Sequence, residues 1–185
     1  VWGVLHNGDK ANLPACAALK TFKEKHGPVI LLTNAPRPVS DVEELFVKKY
    51  GVPLDCYDAI VTSGVATRDD LEKRTKSGRL SMLHLGPERD SGIFEGLNIE
   101  TVDAERAQIV LCSGLYDDEK ETPADYGPLL EKMKARKLAM ICANPDWVVQ
   151  RGGKLVYCAG ALANEYEKIG GEVVYYGKPK TAIYD

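Results

Sequence analysis

The sequence has no excess of positive charge. It carries 24 Lys and Arg against 27 Asp and Glu, a net charge of −3 at pH 7, so it lacks the broad cationic field that attracts nucleic acids and anionic membranes. It also lacks an apolar run long enough to span a bilayer and the N-terminal pattern of a signal peptide. We therefore expect a cytoplasmic protein with no nucleic-acid or membrane partner, in which any bound anion is held by local chemistry.

Closely spaced cysteines are absent as well. The five cysteines are an odd number and lie far apart, at Cys16, Cys56, Cys112, Cys142 and Cys158. This pattern is typical of buried thiols in a reducing compartment, and not of a disulfide frame or a zinc site. With three histidines and no motif around them, a catalytic cysteine is a minor alternative. The chain has neither a Gly-x-Gly-x-x-Gly turn nor a Walker-type loop, so an unrelated nucleotide-binding domain is the weakest functional hypothesis.

Short apolar runs alternate with helical patterns along the whole chain. With 44% hydrophobic and 28% charged residues, the 185 residues have ordinary globular composition and can bury a sizeable core. Continuous apolar runs are typical of strands that are covered on both faces. They predict strands at Val1–Leu5, Val29–Thr33, Ala59–Thr62, Leu80–Leu85, Gln108–Ser113, Leu138–Ala143, Leu155–Cys158 and Val173–Tyr176.

Segments of helical period separate these strands. Asn12 and Ser40 are predicted to cap helix starts, and Thr67 with Asp70 has the spacing of a capping box. This alternation of strands and helices predicts an α/β fold with a mainly parallel sheet. Ligands of such sheets bind at the carboxyl ends of the strands, so functional residues are expected directly after them.

Polar residues follow the predicted strands at two places that are far apart in the sequence. The second strand ends in Thr33 and Asn34, whose hydroxyl and amide can donate hydrogen bonds to a phosphate oxygen. The last strand runs into a Gly-Lys-Pro turn that contains Lys178 and precedes a helix start, which suits an incoming phosphate. Taken singly, each motif is also explained by turn chemistry.

The order of the motifs resembles the haloacid dehalogenase superfamily, specifically its NagD-like branch, subclass IIA. An apolar start with Gly-Val-Leu comes first, then the Thr-Asn strand end, then Val-Thr-Ser-Gly, and finally Gly-Lys-Pro before a helix. The resemblance implies a Rossmann-like three-layer core with a parallel sheet, formed by residues 1–77 and 175–185. It implies that residues 78–174 form an inserted α/β cap domain that closes over the core.

The resemblance also implies roles for residues of the core. Thr33 and Lys178 would be catalytic, because Thr33 would hydrogen-bond the transferred phosphoryl group and Lys178 would neutralise its charge. Asn34 would help to bind the phosphate, and Gly3, which matches the fourth residue of the first family motif, would also contact the substrate. The backbone carbonyl of Trp2 would be a Mg²⁺ ligand.

Two loops of the inserted segment receive different interpretations. The Asn-Pro-Asp loop that ends in Asp146 resembles the substrate-facing cap loop of the family, which makes Asp146 the candidate specificity residue. The same tripeptide is also a favourable turn sequence. The acidic stretch Tyr116–Asp125 is predicted to be a solvated loop and not a site.

The chain departs from the family pattern at three places. First, the nucleophilic aspartate would lie directly before Val1. Second, Asp185 follows Lys178 too soon to belong to the acidic metal motif. The segment 1–185 is therefore expected to be inactive by itself. Trp2 occupies the position of the general acid/base, and an indole cannot exchange a proton at neutral pH. His6 could substitute, although a histidine just after a strand is more often a loop hydrogen-bonder.

The leading hypothesis is a Mg²⁺-dependent phosphatase that acts on a small phosphorylated metabolite through an aspartyl-phosphate. The substrate would belong to the sugar phosphate or nucleotide class. The alternative, favoured by Trp2, is a catalytically degenerate phosphate-binding or regulatory protein with the same fold. The sequence leaves both the identity of the substrate and homo-oligomer formation open.

Overall fold

A computed structural model of the protein describes residues 1–184. Asp185, and with it the expectation about the acidic metal motif, lies outside the described residues. The helices are α1 (Leu13–His26), α2 (Val39–Leu45), α3 (Ser63–Thr75), α4 (Gly127–Ala135) and α5 (Ala159–Lys168). The strands are β1 (Ile30–Thr33), β2 (Ala59–Thr62), β3 (Leu80–Leu85), β4 (Ile99–Thr101), β5 (Ile109–Cys112), β6 (Ala139–Cys142), β7 (Val148–Arg151), β8 (Lys154–Tyr157) and β9 (Val173–Tyr175). A π-helical turn spans Phe46–Tyr50, and short 3₁₀ helices lie at Leu54–Cys56, Glu88–Ile93, Pro123–Tyr126 and Thr181–Ile183.

The strands of residues 1–184 form three sheets. β1 and β2 make a parallel pair in which Thr33 aligns with Thr62. The largest sheet has the order β4-β3-β5-β6-β9 and is parallel throughout, whereas β7 and β8 form an antiparallel hairpin. The predicted α/β fold class with a parallel sheet is confirmed. The division into a core of residues 1–77 and 175–185 and a cap of residues 78–174 stays a prediction.

The apolar character of β5 follows from burial on both faces of the large sheet. All four of its residues are buried. Val110 and Cys112 face a cluster that includes side chains of α4 and α5, and Ile109 and Leu111 face a second cluster to which α3 contributes Leu71. A third cluster packs residues of α1 and α2 against β1 and β2. Strands that are covered in this way leave only their end loops available for a ligand.

The predicted strand Val1–Leu5 is wrong, because this segment is a turn. The backbone N–H of Leu5 donates a hydrogen bond to the carbonyl of Val1 at 2.8 Å, and Gly3 has a φ of 78°. A positive φ is readily adopted by glycine and interrupts an extended backbone. The apolar run reflects the burial of Leu5, which is 1% exposed, and periodicity cannot separate a short buried turn from a short strand.

The predicted strand Leu155–Cys158 forms, but in a setting that the sequence did not indicate. β8 pairs with β7 in the antiparallel hairpin, and its Leu155 is 74% exposed. Neither β7 nor the three-residue β4 was predicted from the sequence. The hairpin therefore lies outside the parallel sheet.

The helix caps were predicted with mixed success. Asn12 caps α1 by accepting a hydrogen bond from a backbone N–H at 3.4 Å, as predicted. Thr67 is wrong as a cap, because it lies inside α3 and its hydroxyl donates to the carbonyl one turn earlier. Thr62 caps that helix instead, and Ser40 lies within α2. Along residues 1–184, no helix combines the length and the apolar character needed to cross a bilayer.

The five cysteines are all free and buried, which confirms the prediction of buried thiols. Burial raises the pKa of Cys142 and of Cys158 to about 12. Because the thiolate is the nucleophilic form of cysteine, these two side chains are unreactive near neutral pH.

Candidate active site

A cavity of about 590 Å³ opens where β1, β5 and β6 end. Six of the residues that the sequence singled out contribute to its lining: Trp2, His6, Thr33, Asn34, Asp146 and Lys178. Gly3 is exposed in the adjoining turn and does not belong to the lining residues. The structure thus brings together side chains from both extremes of the chain, at the strand ends where ligands of α/β sheets bind. The roles assigned to them stay predictions.

The segment Val-Thr-Ser-Gly supports the loop that carries Thr33. The hydroxyls of Thr62 and Ser63 donate hydrogen bonds to backbone carbonyls of this loop, at 2.6 Å and 3.0 Å. A Cβ on Gly64 would lie 2.4 Å from the backbone nitrogen of Arg37, so only glycine allows this close approach. The Thr33 hydroxyl accepts a hydrogen bond from the N–H of Ala35 at 3.3 Å, which leaves its own proton free to donate to an anion.

Asn34 ties three segments of the site together. Its amide nitrogen donates to the carboxylate of Asp146 at 3.0 Å and to the carbonyl of Lys178 at 3.1 Å. Its amide oxygen accepts the N–H of Lys178 at 2.7 Å. Asn34 is 7% exposed, and its amide is satisfied by protein atoms. It therefore fixes the position of the Lys178 turn. This role explains the burial of Asn34 without the expected contact with phosphate.

Two glycines allow the loops of Asp146 and Lys178 to meet. A Cβ on Gly177 would lie 2.6 Å from the ring of Pro145, and a Cβ on Gly160 would lie 2.3 Å from the Pro145 carbonyl. Real Cβ atoms do not occur at such distances, so both positions need glycine. The N–H of Asp146 donates to the side chain of Asn144 at 3.0 Å, so the predicted turn chemistry of this loop is present as well.

Sequence reasoning missed an ion pair at the cavity wall. Arg37, from the loop after β1, donates to Asp90 of the 3₁₀ helix Glu88–Ile93 at 2.8 Å, and Asp90 is 3% exposed. Burial raises the pKa of Asp90 above its ordinary value, and the charge and hydrogen bond of Arg37 limit the rise. The position of Arg37 in the loop after Thr33 and Asn34 was a usable signal, whereas Asp90 had none.

The acidic stretch Tyr116–Asp125 is exposed or half-buried along its whole length, as predicted for a solvated loop, but its first residues also line the cavity. The side chain of Asp118 is 12% exposed and accepts hydrogen bonds from Arg151 at 2.8 Å and from Arg89 at 2.7 Å. Burial alone would raise the pKa of Asp118, but the bonds and charges of the two arginines hold it below its ordinary value. Composition indicated a loop, but only the fold shows that two cations converge on it.

Trp2 and His6 belong to an aromatic cluster that lines one side of the cavity. The His6 ring stacks on Tyr50 with centroids 4.2 Å apart and meets Trp2 edge-on at 5.0 Å. Its Nδ1 accepts the N–H of Gly8 at 3.1 Å, and burial lowers its pKa to about 4. His6 is therefore neutral near pH 7 and acts as a loop hydrogen-bonder, while the Trp2 indole donates to the carbonyl of Gln150 at 2.8 Å.

The described residues do not complete a site for a divalent cation. Within residues 1–184 there is no group of three or more His, Cys, Asp or Glu side chains that could hold a metal ion. Mg²⁺ demands near-octahedral oxygen coordination, and the Trp2 carbonyl could supply one ligand. The residues present therefore do not fit Mg²⁺ by themselves, and a bound ion would need ligands from outside this range.

Comparison with known proteins gives a family match and close structural similarity. The family model described as haloacid dehalogenase-like hydrolase matches residues 1–100. The crystal structure of a hydrolase of the haloacid dehalogenase-like family from Brucella suis is 47% identical to this chain, with a TM-score of 0.93. That alignment covers 100% of this chain and 66% of the Brucella chain, so the chain spans about two thirds of that protein's length. No curated protein matches the chain.

More distant structures share the fold. A 4-nitrophenylphosphatase from Thermotoga maritima is 23% identical with a TM-score of 0.71, over 100% of this chain and 69% of that one. A p-nitrophenyl phosphatase from Archaeoglobus fulgidus is 17% identical with a TM-score of 0.71, over 99% of this chain and 68% of that one.

Proposed function

Because this chain belongs to the haloacid dehalogenase-like hydrolases, we propose that it is the major part of a Mg²⁺-dependent phosphatase. Its substrate would be a small phosphorylated metabolite, such as a sugar phosphate or a nucleotide. The names of the Thermotoga and Archaeoglobus neighbours, both nitrophenyl phosphatases, support phosphate-ester cleavage as the reaction.

The observation that carries the proposal is the meeting of Thr33 and Lys178 at one cavity. Asn34, the residue after Thr33, holds the backbone of Lys178 although 144 positions separate them. A hydroxyl donor and an ammonium at the same strand ends suit a phosphoryl group, whose transfer depends on positioning and charge neutralisation.

The proposed reaction has two steps. A carboxylate oxygen of an aspartate before Val1 attacks phosphorus, the ester P–O bond breaks, and the leaving oxygen takes up a proton from solvent water, because Trp2 cannot supply one. Water then cleaves the aspartyl-phosphate to inorganic phosphate and free carboxylate. In both steps Thr33 donates a hydrogen bond to the phosphoryl group and Lys178 offsets its negative charge. Mg²⁺, held by ligands completed outside residues 1–184, would supply further charge neutralisation.

Replacement of Lys178 tests this assignment. In the full-length protein, Lys178→Met should lower kcat/KM for 4-nitrophenyl phosphate by about 10²–10³-fold, because a charge that stabilises the transition state is removed. Lys180→Met is the matched control, since Lys180 is exposed, lies two residues away and faces the ring of Tyr175. Undiminished turnover by Lys178→Met would refute the assignment.

A catalytically degenerate phosphate-binding protein is the second candidate. Trp2 favours it, because its indole cannot protonate a leaving group and is bonded to Gln150, and the neutral His6 is buried in the aromatic cluster. Under this alternative, phosphate raises the melting temperature of the full-length protein without any turnover. Release of inorganic phosphate that needs added Mg²⁺ and stops with a chelator would exclude it.

A further inference from the structure

Three arginines line the same cavity as Thr33 and Lys178. Arg37 lies in the loop after β1, Arg89 in the 3₁₀ helix Glu88–Ile93, and Arg151 at the end of β7. They come from three separate segments, and the proposed phosphoryl chemistry assigns none of them a role.

The charge of this arginine cluster, defined as Arg37, Arg89 and Arg151, is only partly compensated. Arg151 binds both carboxylate oxygens of Asp118, at 3.2 Å and 2.8 Å, and Arg89 binds one of the same oxygens at 2.7 Å. Two guanidinium groups therefore share one carboxylate. Arg37 has its own partner in Asp90, so three guanidinium groups are bonded to two carboxylates. The carboxylate of Glu119 also lines the cavity, but among the described residues it forms no ion pair with the cluster.

Donor groups of the cluster remain available to a ligand. A guanidinium carries five N–H donors, and among the described residues Arg89 uses one terminal nitrogen and Arg37 uses Nε for side-chain pairs. The side chains of Arg37, Arg89 and Arg151 are 21%, 48% and 31% exposed. The remaining N–H groups of these cavity-lining arginines therefore face accessible space, where an anion can reach them.

The cluster lies close to the proposed phosphoryl site. Arg37 lies in the loop that follows β1, three residues after Asn34, and both residues line the cavity. Arg151 and Asp146 line the same cavity. Asp146 is in turn linked through Asn34 to Lys178. A cavity of about 590 Å³ has the size of a small-molecule site, so one compact ligand can reach both cationic regions.

We propose that the arginine cluster binds a second anionic group of the substrate, which would make the substrate a phosphate monoester that also carries a carboxylate or a second phosphate. This inference rests on the proposed function and narrows its substrate class. Arginine suits the role because its planar fork binds carboxylates and phosphates with two hydrogen bonds.

A matched series of substrates tests the proposal in the full-length protein. Glycerol 3-phosphate has a neutral tail, 3-phosphoglycerate places a carboxylate on the same carbon skeleton, and glycerol 1,3-bisphosphate places a second phosphate there. The wild-type protein should show a KM about tenfold lower for one charged substrate than for glycerol 3-phosphate, since a hydrogen bond to a charged group contributes enough for that factor. The preferred substrate shows whether the cluster binds a carboxylate or a second phosphate.

Two variants separate ligand binding from a structural role of the cluster. Arg89, half-exposed with 48% of its side chain accessible, can be changed to Gln with little risk to folding. R89Q should raise KM for the charged substrate about tenfold more than it raises KM for glycerol 3-phosphate. D118N keeps the shape of the Asp118 side chain and removes the negative charge that pairs with Arg89 and Arg151. Because this charge competes with an anionic ligand for the two arginines, D118N should lower KM for the charged substrate. R79Q is the control, because Arg79 is exposed and pairs with Glu100 away from the cavity lining.

The outcomes distinguish this inference from the proposed function. Turnover of 4-nitrophenyl phosphate without preference for a charged tail would overturn the inference alone. A rise in KM for every substrate in both R89Q and D118N would also overturn it, since a purely structural network predicts that result. Absence of turnover for all substrates would overturn the proposed function and the inference with it.

Discussion

Asn34 shows how a single side chain can differ from its sequence-based interpretation. The resemblance assigned it to the phosphate, whereas its amide bonds with Asp146 and with the backbone of Lys178. A buried amide with protein partners at both its nitrogen and its oxygen is a positioning group. The consequence is that Lys178 and Asp146 respond together to any change at Asn34.

Truncation of Asn34 should therefore affect stability and turnover together. We expect Asn34→Ala to lower the free energy of unfolding by about 2–3 kcal/mol, because it leaves a buried N–H and a carbonyl of the Lys178 turn without partners. Turnover of an aryl phosphate should fall as well, as the turn loses its anchor. Urea unfolding and steady-state kinetics measure the two effects.

Asn164→Ala is the matched control for that change. Asn164 lies on α5, and its amide makes only a 3.5 Å contact with the neighbouring Glu165. Its replacement by alanine, a good helix former, should leave both unfolding and turnover nearly unchanged. Equal behaviour of the two variants would show that Asn34 does not hold the turn.

Among the elements, two helices begin against the loops of the site and make it rigid. α3 begins with Ser63 and Gly64 directly under the loop after β1, and α5 brings Gly160 against the loop that carries Asp146. In each case a glycine in the first turn allows backbone to meet backbone. The geometry of the site thus depends on helix starts that carry no functional group themselves.

An added methyl group at the start of α5 should lower the stability of the protein more than one at the start of α4. Gly160→Ala would place a Cβ 2.3 Å from the Pro145 carbonyl, and forced overpacking of this kind costs about 1–3 kcal/mol. Gly127→Ala is the matched control, because Gly127 begins α4 with nothing within 4 Å of its Cβ position.

Thermal unfolding of the two glycine variants provides the measurement. Gly160→Ala should unfold several degrees below the wild-type protein, and Gly127→Ala should differ from it by less than about 1 kcal/mol. If Gly160→Ala unfolded at the wild-type temperature, the close approach of α5 to the Asp146 loop would have no energetic significance.

At the scale of the whole molecule, the N-terminal turn and the β7–β8 hairpin meet beside the cavity. The Trp2 indole donates to Gln150, and the N–H of Gly152 donates to the carbonyl of Asn7 at 3.4 Å. The residue at the expected acid/base position thus binds a hairpin about 150 positions away in the sequence. Trp2 consequently has a structural role that holds whether or not the protein is catalytic.

Loss of the indole N–H should loosen the hairpin. In Trp2→Phe, amide hydrogen exchange of residues 148–157 should be faster by up to about tenfold, because one hydrogen bond is worth about 0.5–1.5 kcal/mol. Trp147→Phe is the control, since Trp147 is 58% exposed. Unchanged exchange in Trp2→Phe would mean that the indole bond contributes nothing to the hairpin.

Much of the fold could be predicted because its signals are local. The bounds of β2 and β3 agree with the apolar runs, and the haloacid dehalogenase family followed from the order of short motifs and is confirmed. Val1–Leu5 failed because Gly3 turns the backbone, which an apolar run does not indicate. The contact of the acid-rich loop with the cavity was not predicted, because composition does not say which cations a carboxylate pairs with.

By itself, the sequence determined the alternation of strands and helices and identified Thr33 and Lys178, since periodicity and strand-end motifs extend over only a few residues. Only the tertiary structure decided that Asp118 joins Arg89 and Arg151, which lie 29 and 33 positions from it, and that Trp2 bonds to Gln150. The physical reason is that charge pairing and hydrogen bonding depend on distance in space. These partners are far apart in the sequence, so no local pattern predicts that they lie close together.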